Sequence, residues 1–473
     1  MNNLFKKISI AILIFTALQM QAFATKKIHS IPGVVSAPSV IYDIRDFGAI
    51  GDGTTVNTKA FQSAIDKCTE TGGVVLVASG RYVTGTIFLK SNVCLRVEAG
   101  GVLLGSPRIA DYSTNTDRTM YSEPYMNRCL IFARDAQNIS FEGNGIIDGQ
   151  GKSLPEKGDA DKNRPKMFRF IDCSHIRFRD LTFKSPASWT TEFRSCTDIA
   201  VDGITIASRN ISNGDGLDFD GCTKVRVSNS TFECGDDCIC LQTSDKAHPC
   251  ADITITNCNF SGRWAGIRIG LLSRANFDNV VVSNCTFRDH NDSGLKIQMM
   301  EGAIMSNMLF TNLVMINVPR PVFLTFNKQN ASFDAHGEPP PMNRVHDIVF
   351  SNISVQDTAG GKNCGFIVTG MPDHPVENIT FSNIHAMFPG SGTAEDAKNV
   401  LEEFTVENLK GRWPEVGGLR KTVPSFGMYL RHVKGVTLRD VYIETVKPDV
   451  RPAVVYVDVS GAKASNAPEA VKQ

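Results

Sequence analysis

One eight-residue pattern returns nine times along this chain, and few folds can hold such a repeat. It reads IRFRDLTF from Ile176, IAVDGITI from Ile199, VRVSNSTF from Val225, ITITNCNF from Ile253 and VVVSNCTF from Val280. It continues as MLFTNLVM from Met308, IVFSNISV from Ile348, ITFSNIHA from Ile379 and VTLRDVYI from Val436. The starts lie 23, 26, 28, 27 and 28 residues apart up to Met308, then 40, 31 and 57. Periods in this range mark a solenoid. Each unit alternates apolar and polar residues on either side of a polar pair, so one face points in and one out. β-branched residues dominate and no unit has a helical period. The Asn or Asp at the break suits a tight bend, and a stacked Asn can hydrogen-bond the same residue one coil away. A β-sandwich has similar strand spacing but does not repeat one motif nine times. The chain therefore reads as all-β, a parallel β-helix of two or three short strands per circuit.

The wider gaps mark excursions. Residues 323–346, with three consecutive prolines, read as a long loop, and residues 391–411 as a helical insertion with an acidic start. Residues 57–73 read as an amphipathic helix that covers the N-terminal end of the solenoid, where open strand edges would otherwise pair with other chains. Residues 1–24 have a basic start, a short apolar run and a small-x-small ending, the pattern of a secretory leader. The expected organisation is a leader over 1–24, one solenoid domain over 25–460 and a loose polar tail over 461–473. Export to the periplasm or the medium follows, without membrane insertion.

The chain has 49 basic and 49 acidic residues, a balance that offers no electrostatic footprint for nucleic acid. Thirteen cysteines leave at least one unpaired. Cys173, Cys196 and Cys222 hold one place in successive coils and Cys258 and Cys285 another, which suggests stacked free thiols. Cys234, Cys238, Cys240 and Cys250 crowd the acidic stretch without the paired spacing of a zinc site. A disulfide from Cys238 to Cys250 or Cys258 is the expectation there. His290, His336, His346, His374 and His432 have no metal-ligand spacing, and most of them read as surface or loop residues. No metal or other cofactor is expected.

The chemistry concentrates in Asn213-Gly-Asp215-Gly-Leu-Asp218 and Gly235-Asp236-Asp237-Cys238. Asp215 and Asp236 are 21 residues apart. One circuit of that length puts them on neighbouring rungs, roughly 4.8 Å apart. Carboxylates held so close push their pKa values apart and yield an acid and a base in one cleft, which hydrolysis of a glycosidic bond requires. Asp218 fits buried hydrogen bonding to a neighbouring coil as well as it fits chemistry. Trp189 and Trp264 fit either a sugar platform or half-buried packing.

These residues resemble glycoside hydrolase family 28, the polygalacturonase family, over roughly residues 40–460. The opening YDIRDFGAIGDGTTVNTKAFQSAID is similar to the family's N-terminal cap, and SPASWTTEF from Ser185 to its Ser-Pro-x-x-Trp coil. The family's Asn-Thr-Asp-Gly-Ile-Asp matches residues 213–218 with Gly214 for Thr, and its aspartate pair matches Asp236-Asp237. The resemblance implies a right-handed β-helix that hydrolyses pectic glycans, galacturonan-like or rhamnogalacturonan-like, with inversion and without cofactor. It gives Asp236 the role of general acid, and Asp215 and Asp237 that of activating water. Asn213, Asp218, Arg268, Lys296, Gln298, Trp264 and Trp189 are the expected substrate contacts, in a monomer. Two departures stand out. Ala265 occupies the place of the histidine in the family's Gly-His-Gly, and Lys296-Ile297-Gln298 replaces its Arg-Ile-Lys. A uronate carboxylate is clamped best by a guanidinium, so the change implies weak action on unsubstituted galacturonan. Arg268 is either a displaced cation for that clamp or a salt-bridged turn residue. A β-helical polysaccharide lyase or esterase, and a non-catalytic glycan-binding solenoid, are the rival functions.

Overall fold

The computed structural model describes residues 40–116, 127–154, 164–326, 342–404 and 421–473. The leader over 1–24, the three prolines within 327–341 and part of the 391–411 insertion lie outside the described residues. From Val40 onward the described chain is a right-handed parallel β-helix. Apart from one antiparallel bridge, Met371 to His374, every pairing among the described strands is parallel.

The repeat dictates this coil. In VRVSNSTF the strand Thr223–Ser228 pairs with Cys250–Thr256 of the next circuit, Val225 opposite Ile253 and Val227 opposite Ile255. Where asparagine stands at the break it takes the left-handed conformation: φ is 51° at Asn229, 54° at Asn257 and 55° at Asn284 and Asn312. Asn pays less than other side chains for that conformation because its short amide bonds locally. The amides also form a ladder. Asn312 donates to Asn284 over 3.0 Å, Asn352 to Asn312 over 3.0 Å and Asn383 to Asn352 over 2.9 Å. Inside, equivalent phenylalanines stack coil on coil, with centroids of Phe232, Phe260 and Phe287 each 5.0 Å apart. The inward apolar row is therefore continuous along the solenoid.

The helix spans Thr58–Thr71 and buries Ala60, Phe61, Ala64, Ile65 and Cys68. It lies against the strands Ile41–Asp43 and Gly73–Val77 of the first coil. Full burial of Phe61 and Ile65 stabilises the cap by about 1.5–3 kcal/mol each.

Several expectations are corrected. Residues 461–473 are not a loose tail: Lys463–Ser465 and Ala470–Lys472 pair with the preceding coil, Thr437 opposite Lys463 and Val454 opposite Ala470. The loop expected from residue 323 starts later, because Arg320–Phe326 is a strand. The 391–404 segment holds only a 3-10 turn, Asp396–Lys398. Its carbonyls at Leu401 and Glu402 accept hydrogen bonds from Arg431, and Leu401 and Phe404 bury themselves on the sheet. Tertiary packing thus overrides local helix propensity.

No disulfide forms among the cysteines, all thirteen of which are free and buried. Cys238 faces Cys234 in the acidic turn, whereas Cys250 belongs to another column. Thr197, Thr223 and Ala251 are in register, so Cys196, Cys222 and Cys250, each one residue earlier, share the row that begins with Cys173. Cys258 sits with Cys285 in a separate row.

Candidate active site

One sheet of the coil carries the acids on its outward face. Its strands are Lys166–Ile171, Thr191–Arg194, Leu217–Asp220, Ile239–Thr243, Ile267–Ser273, Ser293–Met299 and Arg320–Phe326. Their register forms a single outward row, in which Asp218 opposes Cys240, Cys240 opposes Arg268, Arg268 opposes Lys296, and Lys296 opposes Phe323. Arg169 opposes Glu192, and Glu192 stands beside Asp218 in the same row because Phe193 opposes Phe219. Rungs of a parallel sheet lie roughly 4.8 Å apart, so neighbours in this row interact directly.

Asp215 and Asp236-Asp237 sit in the turns that enter two successive strands of this sheet. Gly216 is needed there, since a Cβ on it would lie 2.2 Å from the Cys238 carbonyl. The turns are tied together: the Gly216 N–H donates to the Asp237 carbonyl over 3.0 Å, and the Gly235 N–H to the Gly214 carbonyl over 3.2 Å. Asp237 is fully buried and accepts from the Ala265 N–H over 2.8 Å and from Arg268 Nη1 over 3.0 Å. Arg268 Nη2 also donates to Gln298 Oε1 over 3.1 Å. Asp236, partly exposed, accepts from the Asp237 N–H over 3.1 Å.

Asp215, Asp237 and Cys240 bring one oxygen, one oxygen and one sulfur within 4.8 Å of each other. A single water can bond both carboxylates across that gap. The Cys240 thiol lies 3.8 Å from an oxygen of each acid. The sequence reading passed over this three-donor set, which could hold a cation. Against that use, Arg268 already occupies an Asp237 oxygen, and burial pushes the Cys240 thiol well up, so it holds its proton.

Burial first, then the charge of Asp237, pushes Asp236 up to about 7. Burial also drives Asp215 well above the usual carboxylate range, followed by the charges of Asp236, Asp218 and Asp237. Asp218 is raised mainly by burial, opposed by Lys166. Protonation of Asp215, Asp218 and Asp236 is therefore linked from one carboxyl to the next.

The remaining predicted contacts separate into open and closed ones. Trp264 is 39 % exposed, with Lys296 Nζ 4.6 Å from its ring centroid. Trp189 is buried, with Lys166 Nζ 3.6 Å over its ring, so that face offers no open platform. Lys296 and Gln298 are fully buried, and Lys296 Nζ pairs with Asp292 Oδ2 over 3.0 Å. Asn213, at φ 48°, accepts from Arg164 Nη1 over 3.0 Å. His290 is not a surface residue. It is buried, with Nδ1 3.3 Å from the Trp264 carbonyl, and burial pulls it down to about 4.

Sequence reasoning missed Arg164, Lys166, Arg169 and Glu192. Glu192 Oε2 accepts from Lys166 over 2.8 Å and from Arg169 over 2.6 Å, all three fully or almost fully buried. Burial would raise Glu192, but the two cations outweigh it and hold it at about 2. The signal was available: Lys166-Met-Phe-Arg169 sets two cations into a strand one coil before an acidic residue.

The family model described as glycosyl hydrolases family 28 matches residues 108–406, more than half of the chain. An exo-poly-alpha-D-galacturonosidase from Dickeya chrysanthemi is 27 % identical over 436 residues, covering 79 % of this chain and 71 % of that relative. A polygalacturonase from Persea americana is 28 % identical over 409 residues, covering 81 % of this chain and 82 % of its own. The solved family 28 exopolygalacturonase of Yersinia enterocolitica superposes with a TM-score of 0.72 at 21 % identity, over 92 % of this chain and 80 % of its own, a likeness of fold.

Proposed function

This chain belongs to glycosyl hydrolase family 28, and from that premise we propose that it hydrolyses an α-linked pectic glycan by a single inverting displacement. Asp236 donates the proton to the leaving oxygen. Its pKa near 7 keeps it protonated at mildly acidic pH and still able to release the proton. Asp215 and Asp237 hold the attacking water between them, and Asp237, the carboxylate paired with Arg268, takes its proton. Arg268 keeps the Asp237 charge compensated while the water is activated. An inverting site needs room for that water, with carboxyls typically about 6.5–9.5 Å apart.

The observation that carries this reading is the acid set on two adjacent rungs, with Arg268 spanning Asp237 and Gln298. The cation row also bears on the substrate. Arg268 opposes Lys296, so a guanidinium and an ammonium again lie on neighbouring rungs, although the Arg-Ile-Lys string is gone. That favours a uronate at the scissile position, in a galacturonan-like glycan. It moves the reading away from the expectation that plain galacturonan is a poor substrate. No described helix is long and apolar enough to cross a membrane, and the leader-like start fits an enzyme exported to meet this polymer.

The test is product analysis by mass on a panel of pectic polymers, with proton NMR of the first product. Release of uronate-containing product with the inverted anomer is expected. An unsaturated product would establish a lyase, and no turnover on any member of the panel would favour the glycan-binding solenoid.

A further inference from the structure

The turn that carries Trp264 lies one coil after the turn that carries Asp236. Ile239 opposes Ile267, and the Cys238 N–H donates to the Ala265 carbonyl over 3.0 Å. Counting back along both chains sets Trp264 level with Asp236. Asp215, which holds the attacking water with Asp237, lies one coil to the other side, because Leu217 opposes Ile239. In an inverting displacement the water and the leaving group stand on opposite faces of the reacting carbon. The leaving sugar therefore extends from Asp236 toward Trp264.

There it meets an indole rather than a charge. Trp264 is exposed. Lys296 rises toward it from the outward row, yet Lys296 is fully buried, with Nζ 4.6 Å from the Trp264 ring centroid and 3.0 Å from Asp292 Oδ2. Asp292 Oδ1 in turn accepts from Arg320 Nη2 over 3.0 Å. The ammonium is engaged with partners beneath the ring, and the open surface of Trp264 lies away from it. An aromatic face is electronegative and takes the C–H face of an uncharged pyranose. A carboxylate brought onto it would lose water without reaching Lys296, a desolvation with nothing to offset it.

Building on the hydrolase reading, we propose that Trp264 is a specificity residue: it screens Lys296 and selects an uncharged leaving sugar, one whose carboxyl is esterified or absent. The reacting ring remains a uronate, on the side of Arg268. The preferred bond joins a free uronate to an uncharged sugar, as in a partly esterified galacturonan.

The test uses three disaccharides, each with one α-bond, so that only one register can be cut. They are digalacturonate with both carboxylates free, the same compound methyl-esterified on the leaving ring, and galacturonate linked to galactose. kcat/KM should be about tenfold or more higher for the ester or the galactoside than for the free acid, the cost of a charged group left without its partner. The two uncharged compounds distinguish an esterified from a carboxyl-free sugar. Trp264→Ala uncovers Lys296 and should reverse the order. Trp264→Phe keeps a ring and should preserve the order at a smaller ratio. A parent preference for the free acid would put an exposed cation such as Arg263 at the leaving ring and overturn the proposal. An equal loss on all three compounds in Trp264→Ala would overturn it too, since a platform indifferent to charge gives that result. Both outcomes leave the hydrolase reading standing. That reading fails only if no pectic polymer is cut either. If none of the three disaccharides is cut, calorimetric binding to the parent protein decides: tighter binding of the compounds with an uncharged ring supports the proposal, and equal or weaker binding overturns it.

Discussion

Arg268 donates from Nη1 to Asp237 Oδ2 over 3.0 Å, so the most buried acid of the site is partnered by a cation from the following coil. The pair links the proposed water-activating acid to the row that carries Lys296 and Gln298.

Arg268→Gln is expected to leave the Asp237 charge buried without its cation. Loss of one partner of a buried pair destabilises by up to about 3–5 kcal/mol, and partial exposure of Arg268 places the effect at the lower end. kcat/KM should fall about 100-fold. Arg268→Lys should recover much of the stability but less of the rate, since an ammonium cannot span Asp237 and Gln298 as the fork does. Thermal melts and steady-state kinetics on the three proteins check this.

Asp236→Asn should lower turnover about 10²–10⁴-fold with the fold intact, because the leaving oxygen loses its acid. In the parent enzyme activity should decline as pH rises through about 7, where Asp236 gives up its proton. A pH profile of kcat/KM, with the melting curve of the variant, tests both parts. An activity that climbs through pH 7 would remove Asp236 from the acid role.

Stability should also fall as pH rises. Asp215, Asp218 and Asp236 all have raised values in the folded state, so the native protein binds more protons than the unfolded chain above about pH 4. The stabilising contribution is present below that pH and is lost progressively as pH climbs through the folded values, to about 7 for Asp236. Asp218→Asn should therefore raise Tm at pH 8 and leave it nearly unchanged at pH 4. Differential scanning calorimetry across that range checks it.

Gln298→Lys, which restores the family string at that position, should not raise activity on galacturonan. Gln298 is fully buried and accepts from Arg268, so a lysine there sets two cations against each other. Ala265→His adds an imidazole where Ala265 is fully buried, and overpacking of this kind typically costs about 1–3 kcal/mol. The double variant should be slower and less stable than the parent, measured by kcat/KM and Tm.

The coil was legible because its repeat is physical at every position: apolar residues face in, and an asparagine or aspartate takes the bend. The acids were legible because two glycine-flanked turns one circuit apart can only stack. What sequence alone missed depended on register. Cys250 was grouped with Cys238 by nearness along the chain, whereas the bend before Ala251 puts it in the row of Cys222. Lys166, Arg169 and Glu192 come beside Asp218 only through the pairing of Arg169 with Glu192, a register that neighbouring residues along the chain do not give. Trp189 fits either a platform or packing by sequence, and Lys166 over its ring decides for packing. The 391–411 segment reads as helix on propensity, yet its described part, 391–404, forms only a 3-10 turn and buries Leu401 and Phe404 on the sheet.

The backbone bonds that tie Gly216 to Asp237 and Gly235 to Gly214 make the separation of the acids a property of the main chain. Side chains and loops around the cleft can then be exchanged without moving the reacting groups. A solenoid of this kind separates its ruler from its reading head. The rung spacing sets the reaction geometry, and the excursions between rungs, free to grow or shrink, decide which polymer reaches it and from which end.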